Sequence, residues 1–387
     1  MTRSPGPPSP SLRSRVAPFI AMDVMTAARK LEDGGAHIIH MEVGEPAAPA
    51  PRPAREAAMR ALEAGRIGYT EALGRPSLRA RIARAYRERY GVEVPAERVV
   101  VTTGSSAGFI LAFLAMFDPG ARIAIAAPGY PAYRNILEAL GLEAVALPTQ
   151  AADRHVVTAA MIEAAHAQTP LAGALLMSPA NPTGTMMSPS ALRAICETCD
   201  RLSIAFVSDE IYHGLHYGDR AVSALEISDE AYVINSFSKY FSMTGWRLGW
   251  MVVPEDHIRT VERLAQNMFI CPPHVSQVAA LAALDCIDEL EANRAVYAAN
   301  RRLMLDGLPK AGFTRIAPPD GAFYIYADVS GLTDNSLQLA RDILHGAGVA
   351  VTPGLDFDPV RGYRPCGFPM RAPRPTLPKG WSGCVSS

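Results

Sequence analysis

One lysine stands among hydroxyls and a guanidinium in the stretch Ser236-Phe-Ser238-Lys239-Tyr-Phe-Ser-Met-Thr-Gly-Trp-Arg247. A primary amine condenses with an aldehyde when its surroundings keep it unprotonated. The serines supply hydrogen bonds for a phosphate, and an arginine can bind two of its oxygens at once. The group served by Lys239, Ser236, Ser238 and Arg247 is thus an aldehyde that also carries a phosphate.

Upstream, Leu202-Ser-Ile-Ala-Phe-Val-Ser-Asp209-Glu-Ile-Tyr212 delivers an acid and a phenol at the end of an apolar run. A carboxylate such as Asp209 can face a pyridine nitrogen and keep it protonated, so that the ring draws electrons from a carbanion beside it. Tyr212 is then placed for the ring's phenolic oxygen. An Asp in this position also suits a turn or a helix cap. Asn181, in Asn181-Pro-Thr-Gly184, offers an amide to an oxygen acceptor from a loop fixed by proline and glycine, although this tetrapeptide is also a common turn.

The elements that must carry these residues are short apolar runs bounded by polar ones. Arg98–Thr103, Ala172–Met177, Leu202–Asp209 and Ala231–Asn235 read as buried strands, each ending where a candidate residue begins. In open α/β sheets ligands bind at the carboxyl ends of the strands. The first run leads into Gly104-Ser105-Ser106-Ala-Gly108 and a helical stretch to about Phe117, a turn that can present backbone N–H groups and a positive helix end to an anion.

In this order the motifs resemble the class I and II aminotransferases of the fold-type I pyridoxal 5'-phosphate (PLP) enzymes, from about Pro18 to Tyr363. The resemblance makes Lys239 the cofactor-bearing lysine and the acid–base of the proton shift, and Asp209 the pyridinium partner. It gives the phenolic oxygen to Tyr212 and Asn181, and the phosphate to Ser105, Ser106, Ser236, Ser238 and Arg247. Tyr130, in Pro128-Gly-Tyr-Pro131, matches the aromatic stacked on the ring. Gly44, in Val43-Gly-Glu-Pro46, matches the loop over the substrate carboxylate, with Asn181 also on the substrate side. Tyr69 matches the tyrosine that reaches the neighbouring subunit's phosphate, which implies a homodimer with shared active sites.

The resemblance breaks at the end of the chain. Such enzymes finish with an arginine that clamps the substrate α-carboxylate, followed by an amphipathic helix. Here five prolines follow position 364 and no acidic residue lies beyond Asp358, so no helical periodicity survives. With synonymous codons chosen to suit, restoring one base before Pro365 converts Pro365–Cys384 into Thr-Leu-Arg-Phe-Ser-Tyr-Ala-Arg-Ala-Pro-Thr-Asp-Ile-Ala-Glu-Gly-Leu-Glu-Arg-Leu, which carries the clamp motif and a helix. A single-base deletion near the codons for Arg364 and Pro365, in the gene or in the read, is the hypothesis, and resequencing that stretch decides it. Without the restored tail, Arg361, Arg364 and Arg371 are nearby cations with no positional match to the clamp.

At 387 residues and 49% hydrophobic, the chain can bury the cores of two domains. The expected class is α/β, a mostly parallel sheet sandwiched by helices with a smaller α+β domain. The expected boundaries are a disordered arm over 1–15, an N-terminal segment over 16–45 packing with the small domain, a large PLP-binding domain over 46–272, a small domain over 273–363 that includes strands at 322–327 and 349–352, and an aberrant, disordered tail over 364–387. A net charge of −1 gives no reason to expect nucleic acid or membrane partners. No apolar run reaches spanning length. The Ser- and Arg-rich start also suits a transit peptide, but a cytoplasmic terminus is the expectation. Cys196 and Cys199 lack a second pair at zinc spacing and His213 and His216 lack a third ligand, so no metal is assigned.

The expected activity is ping-pong transfer of an amino group from an L-amino acid to a 2-oxo acid. A PLP-dependent lyase or decarboxylase on the same fold, and a catalytically impaired cofactor-binding protein lacking the clamp, are the alternatives. A cofactor sensor fused to a DNA-binding domain has too few residues before the fold. The donor side chain is not legible in the motifs.

Overall fold

In the computed structural model, residues 9–369 are described. The chain opens with α1 (Ile20–Asp33) and β1 (Ile39–Met41), continues through α2 (Arg52–Glu63), α3 (Pro76–Tyr90), β2 (Val99–Thr102) and α4 (Gly104–Met116), and then alternates β3 (Arg122–Ala127), α5 (Pro131–Ala139), β4 (Glu143–Pro148), α6 (Ala159–Gln168), β5 (Gly173–Met177), α7 (Pro189–Leu202) and β6 (Ala205–Asp209). After β7 (Tyr232–Ser236) and β8 (Gly249–Val252) come α8 (Ile258–Met268), α9 (His274–Ala283) and the long α10 (Ile287–Gly307). The chain then forms β9 (Arg315–Ile316), β10 (Tyr324–Asp328), α11 (Ser336–Ala347), β11 (Val349–Pro353) and β12 (Pro365–Pro369).

Seven strands form the large sheet in the order β2-β8-β7-β6-β5-β3-β4. Only β8 runs against its neighbours, as its antiparallel pairings with β2 and β7 show. Strands β2, β6, β7 and β8 are almost wholly buried, as continuous apolar runs must be when helices cover both faces. The helices begin on local chemistry: α7 has Pro189 in its first turn and Ser188 as its cap, whose Oγ accepts from the Ala191 N–H at 3.1 Å.

The smaller sheet has the order β1-β11-β12-β10-β9. The N-terminal segment contributes β1, parallel to β11, and α1 packs on β11. Two expected boundaries differ from the structure. Helix α9, expected in the small domain, packs on α2 and α3 of the large one. Its buried face carries Gln277, whose Oε1 accepts from the Arg75 N–H at 2.8 Å, so this helix sits with the helices of the large sheet although it lies beyond 272. The tail expected to be disordered from 364 instead forms β12, with Tyr326 and Thr352 both opposite Gly367. Alternation explains this: Cys366 and Phe368 are buried in the core while Gly367 and Pro369 take the other face. Residues 370–387, including Arg371, and residues 1–8 lie outside the described residues. In the rest of the expected N-terminal arm, Leu12–Ser14 form one exposed helical turn.

Candidate active site

Five connections at the carboxyl edge of the large sheet converge on a cavity of about 190 Å³. Strand β6 delivers Asp209 and Tyr212, the turn after β7 delivers Lys239, the loop after β5 delivers Asn181, the loop after β3 delivers Tyr130, and the start of α4 delivers Ser105. Gly44, from the segment after β1, closes the cavity from the small-domain side together with Tyr324 of β10.

Lys239 Nζ donates to the Gly44 carbonyl oxygen at 2.6 Å. Burial, the largest influence, lowers its pKa to about 8; Glu45 pulls it up and Arg247 pushes it down. Burying an ammonium favours its neutral form, the form that can attack an aldehyde. Asp209 is only 1% exposed. Its Oδ1 accepts from the Ile211 N–H at 2.9 Å, and its Oδ2 accepts a short hydrogen bond from the Tyr133 hydroxyl. Burial raises Asp209 to about 7, against the lowering pull of those two hydrogen bonds and of Lys239. A cationic ring nitrogen beside it would favour the carboxylate.

A guanidinium, two serine hydroxyls and a helix start come together beside the cavity. Gly104 opens α4 at φ +76°, and a Cβ there would lie 2.5 Å from Arg247 Nη2, so glycine lets the guanidinium approach the helix start. A Cβ at Gly249 would sit 2.9 Å from the Ser105 nitrogen. Ser236 Oγ and Ser238 Oγ are bonded to each other at 2.9 Å. Arg247 itself has a left-handed backbone at φ +49° and donates from Nη1 to the Thr244 carbonyl at 2.9 Å.

Of the expected site residues, Gly44, Ser105, Tyr130, Asn181, Asp209, Tyr212 and Lys239 line one cavity. Ser236, Ser238 and Arg247 stand beside it, whereas Ser106 is exposed and Tyr69 is 84% exposed, and neither lines it. Sequence reasoning missed Tyr133, three residues beyond Tyr130, and Tyr324, in Gly321-Ala-Phe-Tyr324, a segment read only as strand. It also missed Phe19 and Phe357 on the cavity wall. Neither Arg361 nor Arg364 enters this cavity. They line a neighbouring one of about 530 Å³, where Arg361 pairs with Asp358 at 2.7 Å and donates to the Thr149 carbonyl at 3.0 Å. Among the described residues Lys239 is the only cation lining the site cavity, and Gly367 forms part of its wall.

The paired residues outside the site have structural partners. His213, with its pKa lowered to about 3 by burial, contacts the Tyr90 hydroxyl at 2.8 Å and the Ser178 carbonyl at 3.1 Å. The Cys196 and Cys199 thiols are free, and burial raises both to about 12. Among the described residues no group of His, Cys, Asp or Glu is placed to hold a metal, and no helix is long and apolar enough to cross a membrane.

A mostly parallel sheet with a buried lysine, a buried acid and this cluster of donors at its carboxyl edge defines a fold-type I site. The sequence model of the class I and II aminotransferases matches residues 36–361, and the chain belongs to that family. It is 49% identical over 356 residues to the valine–pyruvate aminotransferase of Mycobacterium tuberculosis, covering 91% of each protein. Its fold superposes on a crystal structure of an aminotransferase from Mycobacterium tuberculosis with a TM-score of 0.95 at 46% identity, covering 98% of this chain and 99% of that one. It superposes on the aspartate aminotransferase of Thermus thermophilus with maleate at 0.93 and 28% identity, with the same coverage. The protein is therefore a PLP-dependent aminotransferase that moves an amino group from an amino acid to a 2-oxo acid, and these likenesses favour that activity over the lyase and decarboxylase alternatives. The residues present fit the cofactor: Asn181 Oδ1 is buried with no partner, the glycines leave room for an anion, and Lys239 is shifted toward its neutral form.

Proposed function

We propose that the preferred amino donor is a neutral, aliphatic L-amino acid and that pyruvate is an acceptor. The observation that carries this reading is the wall of the site cavity, where Phe19, Ala21, Met22, Val43 and Phe357 face a small volume alongside the acidic Glu42 and Asp356. An apolar side chain gains from that surface. A substrate carboxylate on the side chain would meet Asp356, itself raised from the usual Asp range chiefly by burial, and, among the described residues, no counter-cation other than Lys239. The valine–pyruvate relative supports the same choice.

In this reading Ser105, Ser236, Ser238, Arg247 and the start of α4 hold the cofactor's phosphate, with Ser106 at the outer rim. Asp209 would hold its ring nitrogen, Tyr130 would pack against its ring, and Tyr212 and Asn181 would serve its phenolic oxygen. When bound, PLP supplies an aldehyde for amines and a cationic ring that withdraws electrons from the substrate α-carbon. Lys239 would be the residue that holds the group through its aldehyde, and its neutral Nζ would be the base placed to take and return a proton at the substrate α-carbon. Gly44 backs the substrate beside Lys239. Two copies assemble so that Tyr69, exposed in one, reaches the phosphate of the other, and the enzyme works in the cytoplasm.

The test is a panel of L-amino acids with pyruvate and 2-oxoglutarate as acceptors. Valine, isoleucine or 2-aminobutyrate should exceed aspartate and glutamate in kcat/KM by at least about tenfold, the effect of one or two buried methylenes plus an unpaired carboxylate; a preference for dicarboxylates defeats the reading. A second reading, weak activity despite cofactor binding, is favoured by one observation: glycine stands at 367, on the cavity wall, and no arginine lines that cavity among the described residues.

A further inference from the structure

Tyr324 is the one tyrosine of the cavity wall that comes from the small domain, and its hydroxyl meets both residues proposed to serve the cofactor's phenolic oxygen. Its Oη lies 2.6 Å from Tyr212 Oη and accepts from Asn181 Nδ2 at 3.4 Å. The two phenol rings stand edge to face with centroids 5.6 Å apart. The same hydroxyl sits against the N-terminal segment, since a Cβ at Gly44 would fall 1.8 Å from it. The approach to this position is held by two hydrogen bonds at Ala322. Ala322 adopts a left-handed backbone at φ +57°, its N–H donates to the Leu215 carbonyl at 2.8 Å, and its carbonyl accepts from the Tyr217 hydroxyl. A non-glycine residue in that region persists only where its surroundings over-determine it.

The direction of the hydrogen bonds follows from the inventory of donors. An amide nitrogen can only donate, so Tyr324 Oη is the acceptor toward Asn181. Either hydroxyl can donate across the 2.6 Å contact; in the cofactor placement proposed above Tyr212 spends its one proton on the phenolic oxygen, on the side where Lys239 Nζ lies 6.0 Å from its ring centroid, and only Tyr324 then has a proton left to give to Tyr212 Oη. A donor that itself accepts a hydrogen bond is a stronger donor. We propose that Tyr324 is a positioning residue for the reaction, its hydroxyl orienting and polarising the Tyr212 hydroxyl that binds the cofactor's phenolic oxygen. This rests on the cofactor placement proposed above and extends it to the small domain, so that the domain's position against the sheet sets the basicity of the cofactor.

The test is Tyr324→Phe, which removes the hydroxyl and keeps the ring that packs on Tyr212 and Phe323. The visible band of the PLP-loaded protein is titrated with pH, with Tyr212→Phe and the double variant beside it. A weaker Tyr212 donor leaves the phenolic oxygen more basic, so it holds the neighbouring proton more tightly. The midpoint should rise by about half a pH unit in Tyr324→Phe, the size that one neutral hydrogen bond allows. In the Tyr212→Phe background the same change should add nothing. An unchanged midpoint in the single variant, or an equal shift in both backgrounds, overturns the proposal. Absence of any visible band in the unaltered protein would instead remove the cofactor reading on which it rests. Thermal midpoints of the variants confirm that they are folded, and a third variant, Tyr324→His, which can return a donor near the same place, should bring the midpoint part of the way back.

Discussion

Lys239 Nζ and the carbonyl oxygen of Gly44 lie 2.6 Å apart, so the reactive amine of the large domain is held by the segment that pairs with the small-domain sheet. The contact is a donor-to-acceptor bond that satisfies the amine in either protonation state without returning its lost hydration.

The first prediction concerns that amine. With its pKa lowered to about 8, the rate at which the apoprotein takes up PLP covalently should climb between pH 7 and 9 and level off above, rather than climbing toward pH 10.5. Stopped-flow absorbance at several pH values measures it, and Lys239→Ala should abolish the covalent band altogether. A midpoint near the free-lysine value would show that burial does not control this residue.

Tyr133 should matter through Asp209. Its hydroxyl fills one carboxylate oxygen while the Ile211 N–H fills the other. In Tyr133→Phe the buried acid loses a donor that favours its charged form, so its pKa rises further. Cofactor affinity should fall by roughly five- to twentyfold, the effect of about 1 to 2 kcal/mol from one hydrogen bond to a charged group. Equilibrium titration with PLP checks this; Tyr133→Phe affinity equal to that of the unaltered protein would rule it out.

Much of this arrangement is legible in the sequence because each catalytic candidate follows an apolar run. The runs ending at Thr103, Met177, Asp209 and Asn235 correspond to β2, β5, β6 and β7, and strand polarity alone then places their next residues on one edge. Tyr324 is different in kind. Its segment reads as a strand by period, but nothing local tells which face meets the other domain, since that depends on the turn at Ala322 and on pairing with β12. The same is true of β12 itself, where a proline-rich composition argues for disorder while tertiary pairing with β10 and β11 takes five residues into the sheet. The position of α9 was hidden for a related reason: its partners, α2 and α3, lie some two hundred residues upstream.

Glu210 should set part of the pH dependence of stability. It is 1% exposed beside Asp209, and its Oε1 accepts from the Ala224 N–H at 2.8 Å and the Ser223 hydroxyl at 3.0 Å. Its Oε2 has no hydrogen-bond partner, although His213 Nδ1 stands 3.4 Å away; Nδ1 is engaged by Tyr90 and His213 is held neutral, so this contact is not an ion pair. Burial raises the Glu210 pKa to about 8. The folded state therefore keeps a proton that the unfolded chain loses, and stability from this group is complete at low pH and declines as pH rises from the free-glutamate range to 8. His213, lowered to about 3, has the opposite sign but only below 6.5. Between pH 6.5 and 8 the thermal midpoint of the unaltered protein should fall relative to that of Glu210→Gln, by an amount on the order of 1 to 2 kcal/mol in stability. Parallel pH profiles would show that the proton is not held.

The last prediction turns on Gly367. It lies in β12 opposite Thr352 and Tyr326, on the face that meets the site cavity. A Cβ built there meets Phe357 Cε2 at 3.1 Å and Cζ at 3.5 Å, and the backbone is not in the glycine-only region, so a side chain requires only that one ring give by a few tenths of an ångström. An arginine at this point would bring a planar pair of donors toward a substrate carboxylate for which, among the described residues, Lys239 is the only lining cation, and position 367 is where the restored reading frame places one. Gly367→Arg should therefore raise kcat/KM for amino acids by roughly ten- to a thousandfold, as about 1.5 to 4 kcal/mol from a charge-assisted bidentate contact allows. Most of the gain should appear in KM. PLP affinity should change by less than about twofold, because the phosphate cradle and Asp209 are untouched. Steady-state kinetics on the two proteins, with cofactor titration as the control, decides it: equal kcat/KM would mean that this strand does not present its side chain to the substrate.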